Sequence, residues 1–166
     1  MRNFKIIIVS LIVSMPLFSQ YSDIKVNGLI LGATYTESQI TDSLGAPSRI
    51  TPPNEDFPDW ITYWYFDSLA GKENEFTLIN NSLQQIVIRG NNIKLNNFLG
   101  VGMSTSAVNQ MGGIIFNVKP NLFYWAPSEE YKSKGHAIIH FNPANQMIIA
   151  IGIESNSDFH DCPLKI

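Results

Sequence analysis

Cysteine is all but missing: the 166 residues contain one, Cys162, close to the end. A disulfide scaffold is thereby excluded, and stability has to come from packing. Charge is sparse too, at 15% of residues, with 14 acidic side chains against 11 basic ones. Sequence-independent nucleic-acid binding needs a basic surface that this composition does not supply. No apolar run reaches the roughly 18 residues of a spanning helix. The chain also lacks a Gly-x-Ser-x-Gly elbow and a phosphate-cradling glycine loop. What it does have is a 45% apolar content, enough to build a core and too much for a disordered chain.

Residues 1–20 have the order of a secretory signal peptide. Arg2 and Lys5 precede an apolar run from Ile6 to Val13, followed by Pro16, Ser19 and Gln20. Cleavage is expected near Ser19 or Gln20, which places the mature protein in the periplasm or outside the cell. No cysteine lies near that point, so the reading is not that of a lipoprotein. Losing Arg2 and Lys5 leaves nine basic side chains against 14 acidic ones, a balance hostile to polyanions.

The residues that tempt a chemical reading do so weakly. His160-Asp161-Cys162 could be imagined as a nucleophile and its base, but a catalytic Cys finds its His through the fold and not next door. His136 and His140 have the spacing of two zinc ligands on a helix. They flank Ala137-Ile138-Ile139, a run with strand character, and four residues along a strand is roughly 13 Å. Carboxylates cluster only at Glu55-Asp56 with Asp59 and at Glu129-Glu130, where loops make solvated charge the default. The sequence therefore predicts no catalytic group, no metal and no cofactor: a binding protein and not an enzyme.

Internal similarity organises the rest. Leu29 to Gly45 aligns without gaps to Asn97 to Gly113, pairing Leu31 with Leu99, Gly32 with Gly100, Thr36 with Ser104, Ile40 with Val108 and Gly45 with Gly113. Just upstream, Ile24-Lys25-Val26-Asn27 matches Ile93-Lys94-Leu95-Asn96. This suggests two repeats, residues 21–90 and 91–156, and a tail, 157–166. Each opens as a short capped helix: Thr36 with Gln39 three residues on makes a capping box, and Gly45 with Pro47 stops the helix. In the second copy Ser104 takes the cap and Ala107 stands where Gln39 did, so that cap should be weaker. Helices this short need a sheet to lie on.

Three strands per copy are expected to supply it: Trp60 to Phe66, Glu75 to Asn80 and Leu83 to Arg89, then Leu122 to Trp125, Ala137 to Phe141 and Gln146 to Glu154. Asn80-Asn81-Ser82 and Asn142-Pro143-Ala144-Asn145 are good hairpin chemistry. Alternation sets Trp60, Thr62, Trp64 and Phe66 on one face and Ile61, Tyr63 and Tyr65 on the other. One aromatic face covers the helices; the other is buried elsewhere or is an interaction patch. Candidate protein-binding residues are Trp60, Tyr63, Trp64 and Tyr65, with Tyr124 and Trp125 in the second copy.

Gly32-Ala33-Thr34, Leu44-Gly45-Ala46-Pro47, Trp60 with Tyr63, and Phe76 to Asn81 together resemble the SmpA/OmlA (BamE-type) domain. As a tandem pair they resemble the superfamily of the β-lactamase inhibitory protein. The resemblance implies an α+β fold of two tandem helix-plus-antiparallel-sheet repeats, with short helices packed on one face of the sheet. It further implies an envelope protein that binds another envelope or secreted protein. Alternatives are an inhibitor of a secreted hydrolase, a β-lactamase or protease, and a small-ligand or scaffold role for the cleft between repeats.

Overall fold

The computed structural model describes residues 23–155. The signal-peptide reading of residues 1–20, the tail 157–166 and Cys162 lie outside the described residues. Two-residue turns of asparagine and glycine punctuate the chain. Asn27-Gly28, with φ of 49° and 85°, folds β1 (Lys25–Val26) onto β2 (Leu29–Ile30). Asn80-Asn81, with φ of 50° and 63°, joins β5 (Lys72–Ile79) to β6 (Ser82–Ile88). Both turns have left-handed central residues, whose twist matches that of the strands they connect.

The helix α1 (Glu37–Leu44) starts at Thr36, whose hydroxyl accepts from the Gln39 N–H at 3.3 Å while the Gln39 side chain accepts from the Thr36 N–H at 2.8 Å. Ile40 is fully buried and Leu44 packs beside it. After it come β3 (Arg49–Thr51), β4 (Trp60–Asp67), β5 and β6. The second half contributes β7 (Ile114–Lys119), β8 (Leu122–Ala126), β9 (Gly135–Asn142) and β10 (Met147–Ser155). Eight of these strands form one antiparallel sheet in the order β3-β4-β5-β6-β10-β9-β8-β7. The halves join edge to edge, Ile88 opposite Ile151 through Gln85 opposite Glu154.

This corrects the expected architecture. The chain is mostly β, built on one large sheet, and is not a pair of helix-plus-sheet repeats. The second expected helix is a 3-10 segment, Thr105–Met111, whose cap side chain, Ser104, bonds Ser106 alone among the described residues, accepting from its N–H at 3.3 Å and meeting its hydroxyl at 3.0 Å. Without a partner for the reciprocal bond, and with only seven residues, the segment winds more tightly than an α-helix. Two strands that the alternation missed, β3 and β7, are the sheet edges. β7 carries a bulge at Asn117, φ 50°, which blunts an otherwise open edge.

One face of the sheet holds the core. Tyr63, Tyr65, Phe76, Ile86, Ile88, Ile151, Ile153, Ile139 and Trp125 lie under α1, the β1–β2 hairpin, Leu95, Leu99 and the 3-10 segment. The segment that follows β6 into the second half is held by two buried side chains. Asp67 accepts from the N–H groups of Leu69, Ala70, Asn91 and Asn92 at 2.7–3.2 Å, and these bonds, that from Ala70 foremost, hold its carboxyl below the usual range. Asn74, fully buried, accepts from the N–H groups of Arg89 and Gly90. A Cβ at Gly90 would sit 2.7 Å from the Asp67 carboxylate, so a side chain is excluded there.

Candidate functional site

The opposite face of the sheet is where the chemistry gathers. Residues directly opposite one another on paired strands share a face, and one row crosses all eight strands: Arg49, Trp64, Glu75, Val87, Gly152, Ile138, Tyr124 and Phe116. At one end the Arg49 guanidinium lies 3.9 Å from the centre of the Trp64 ring and reaches Glu73 at 2.9 Å. The Trp64 indole N–H donates to Thr51 at 2.9 Å. At the other end Tyr124 packs 5.6 Å from Phe116, over which the Lys132 ammonium sits at 4.6 Å. An aromatic ring with a cation on it therefore closes each end. Trp64 and Tyr124 stand five strands apart, roughly 24 Å. Between them lies Gly152, which has no side chain, flanked by the buried Val87 and Ile138.

A polar band runs beside this row. Glu75 pairs with Arg89, and the Thr62 and Thr77 hydroxyls meet at 3.0 Å. Gln84 bonds Ser155. Glu154 lies 3.1 Å from His136 Nε2 but off the direction of a hydrogen bond, so that nitrogen is buried with no hydrogen-bond partner among the described residues. The His136 ring is instead held by Tyr124 at 5.0 Å and Phe116 at 6.0 Å. His140, on the same face of β9, is pushed to lower pKa by burial. A depression on this band, between Trp60, Thr77, Gln85 and Glu154, holds about 20 Å³, room for about one water.

Three of the six residues singled out from the sequence stand on this face: Trp60, Trp64 and Tyr124, each half-buried. Trp60 rests against Phe57 at 4.7 Å. The other three are core. Tyr63 and Tyr65 are 3% and 6% exposed, and Trp125 is fully buried with its indole N–H donating to Gly112 at 2.7 Å. Burial pushes the Tyr65 hydroxyl up to about 12, with the charges of Tyr63 and Glu37 adding to it. Sequence reasoning missed Arg49, Glu75, Arg89, His136 and Glu154. For all but Arg49, whose strand shows no alternation, the signal was the phase of alternation: polar residues at every second strand position, in step with Trp60, Thr62 and Trp64.

No family model matches the chain, and no curated protein matches it. Among solved structures it is similar to an extracellular protein containing an SCP domain from Bacillus anthracis, at 14% identity and a TM-score of 0.47, over 75% of this chain and 43% of that one. It is also similar to a cysteine-rich secretory protein from Staphylococcus aureus, at 11% identity and a TM-score of 0.49, over 77% and 45%. The chain spans less than half the length of either. The fold itself overturns the resemblance to the SmpA/OmlA (BamE-type) domain and to the β-lactamase inhibitory protein superfamily: among the described residues one eight-stranded sheet with a single α-helix stands where two helix-plus-sheet repeats were expected.

Proposed function

We propose that the chain is an exported, non-enzymatic module that binds another protein through the face of its sheet opposite the core. Export is read from Arg2, Lys5, the apolar run from Ile6 to Val13 and the small residues before Tyr21. The observation that carries the binding reading is the row from Arg49 to Phe116, bounded at each end by a cation on an aromatic ring. Aromatic residues and arginine are enriched at interface centres, and the depression between Trp60 and Glu154 is too small for an organic ligand. The hydrolase-inhibitor alternative loses the resemblance that suggested it and is not carried further.

Crosslinking in intact cells, followed by purification of the chain with its partner, tests this. Trp64→Ala combined with Tyr124→Ala should weaken binding of that partner by roughly 30-fold, the scale of about 2 kcal/mol at an interface centre. Its thermal transition should stay in place. Unchanged affinity in the double variant would refute the assignment of this face.

A further inference from the structure

A second feature lies at the end of the seam between the halves, away from the aromatic row. The β6–β10 ladder stops at Ile88 opposite Ile151. Beyond it the strands part. β10 turns toward β9 with a bulge between Ile148 and Ala150, whereas the chain after β6 is drawn down by Asn74 and Asp67. The gap is a cleft of about 660 Å³, well inside the range of small-molecule sites. Its walls are braced before any ligand arrives. Residues 70 and 91 both donate to Asp67, and across the gap the Gly102 N–H donates to Ile148 and the Ile148 N–H to Met103, each at 2.8 Å.

The lining is apolar with a basic mouth. Val101, Met147, Ile149 and Ala150 supply the apolar part, with Ile149 53% exposed. Lys72 and Arg89 supply the charge. Arg89 is already paired with Glu75, but Lys72 is exposed and makes no ion pair among the described residues. Among the described residues no carboxylate lines the cleft, although acidic side chains outnumber basic ones in the chain. A positive mouth over a braced apolar slot in an acidic protein selects a ligand that is apolar at one end and anionic at the other.

We propose that the seam cleft binds a single-chain amphiphile with one anionic head, its acyl chain along Ile149 and Val101 and its head at Lys72. Calorimetry on the purified protein tests this, using dodecanoate and dodecyl phosphate below their micelle-forming concentrations. Saturable binding of one molecule per chain is expected for at least one of them, the tighter identifying the head. Lys72→Glu should weaken it by roughly fivefold or more, the scale of one partly exposed charge. Ile149→Asp, at an exposed position that leaves the core intact, should weaken it by about tenfold or more. Trp64→Ala should leave it unchanged, which separates this cleft from the protein-binding face. Acetate binding as tightly as dodecanoate, unsaturable uptake, or unchanged affinity in both cleft variants would overturn the proposal, as would an acidic peptide binding there when neither amphiphile does.

Discussion

At the scale of single residues, Tyr65 shows how a strand can look like a site and be core. Its ring meets Phe76 edge-on at 5.6 Å, while its hydroxyl is buried with no hydrogen-bond partner among the described residues. A buried hydroxyl left unbonded costs stability. Tyr65→Phe should therefore be neutral or stabilising by about 1 kcal/mol in urea denaturation at pH 7. The same substitution carries a pH signature. Tyr65 ionises near 12 in the folded protein and near 10 unfolded, so above pH 10 the unfolded chain releases a proton that the folded one keeps. Stability contributed by the neutral hydroxyl is intact below pH 10 and is lost as pH climbs toward 12. Tyr65→Phe should flatten that decline. A loss of more than about 1 kcal/mol at pH 7 would mean the hydroxyl is bonded after all.

At the scale of elements, the two helical segments give a matched comparison. The α1 cap is reciprocal, Thr36 with Gln39, whereas the Ser104 side chain of the 3-10 segment meets only the N–H and hydroxyl of Ser106, with no side chain returning to its own N–H among the described residues. Thr36→Ala should cost about 1 kcal/mol, and Ser104→Ala clearly less, both read from denaturation midpoints at constant slope. Equal costs would show that the reciprocal bond contributes nothing. The capping box, the Gly45 exit, both asparagine-rich hairpins and six of the strands were legible because each depends on residues within a few positions of one another. The edges were not. β3 is three exposed residues with no alternation to read, and β7 is broken by the left-handed Asn117. Which aromatic face is core was illegible for a related reason. Trp60-Ile61-Thr62-Tyr63-Trp64-Tyr65 is aromatic in both phases, and only the coverage of one face by α1 and the β1–β2 hairpin separates them. The candidate site was half legible: its aromatic members came from the strand pattern, but Arg49 and Lys132 reach their rings from an unrecognised edge strand and a short 3-10 turn, Tyr131–Ser133.

At the scale of the whole molecule, the question is whether residues 21–90 and 91–156 fold as units. The sheet is continuous through β6 and β10, and the core face is shared more deeply than that ladder. Val26 bridges Leu95, the Lys25 N–H donates to Asn96 at 2.7 Å, and the Ile24 N–H donates to the Tyr131 hydroxyl at 3.3 Å. The first hairpin therefore lies against residues of the second half. Separating the halves would expose Ile86, Ile88, Ile151 and Ile153 on new edges, and chains of about 65 residues have little core to spare. One cooperative transition is expected. The three tryptophans make this measurable, since Trp60 and Trp64 lie in the first half and Trp125 in the second. In a variant with Trp60→Phe and Trp64→Phe, fluorescence reports the second half alone and far-ultraviolet circular dichroism reports the entire sheet. Coincident midpoints and slopes in urea follow if the seam joins the halves into one folding unit. A Trp125 transition displaced from the dichroism curve would instead make each half its own unit, with the β6–β10 ladder a contact between them.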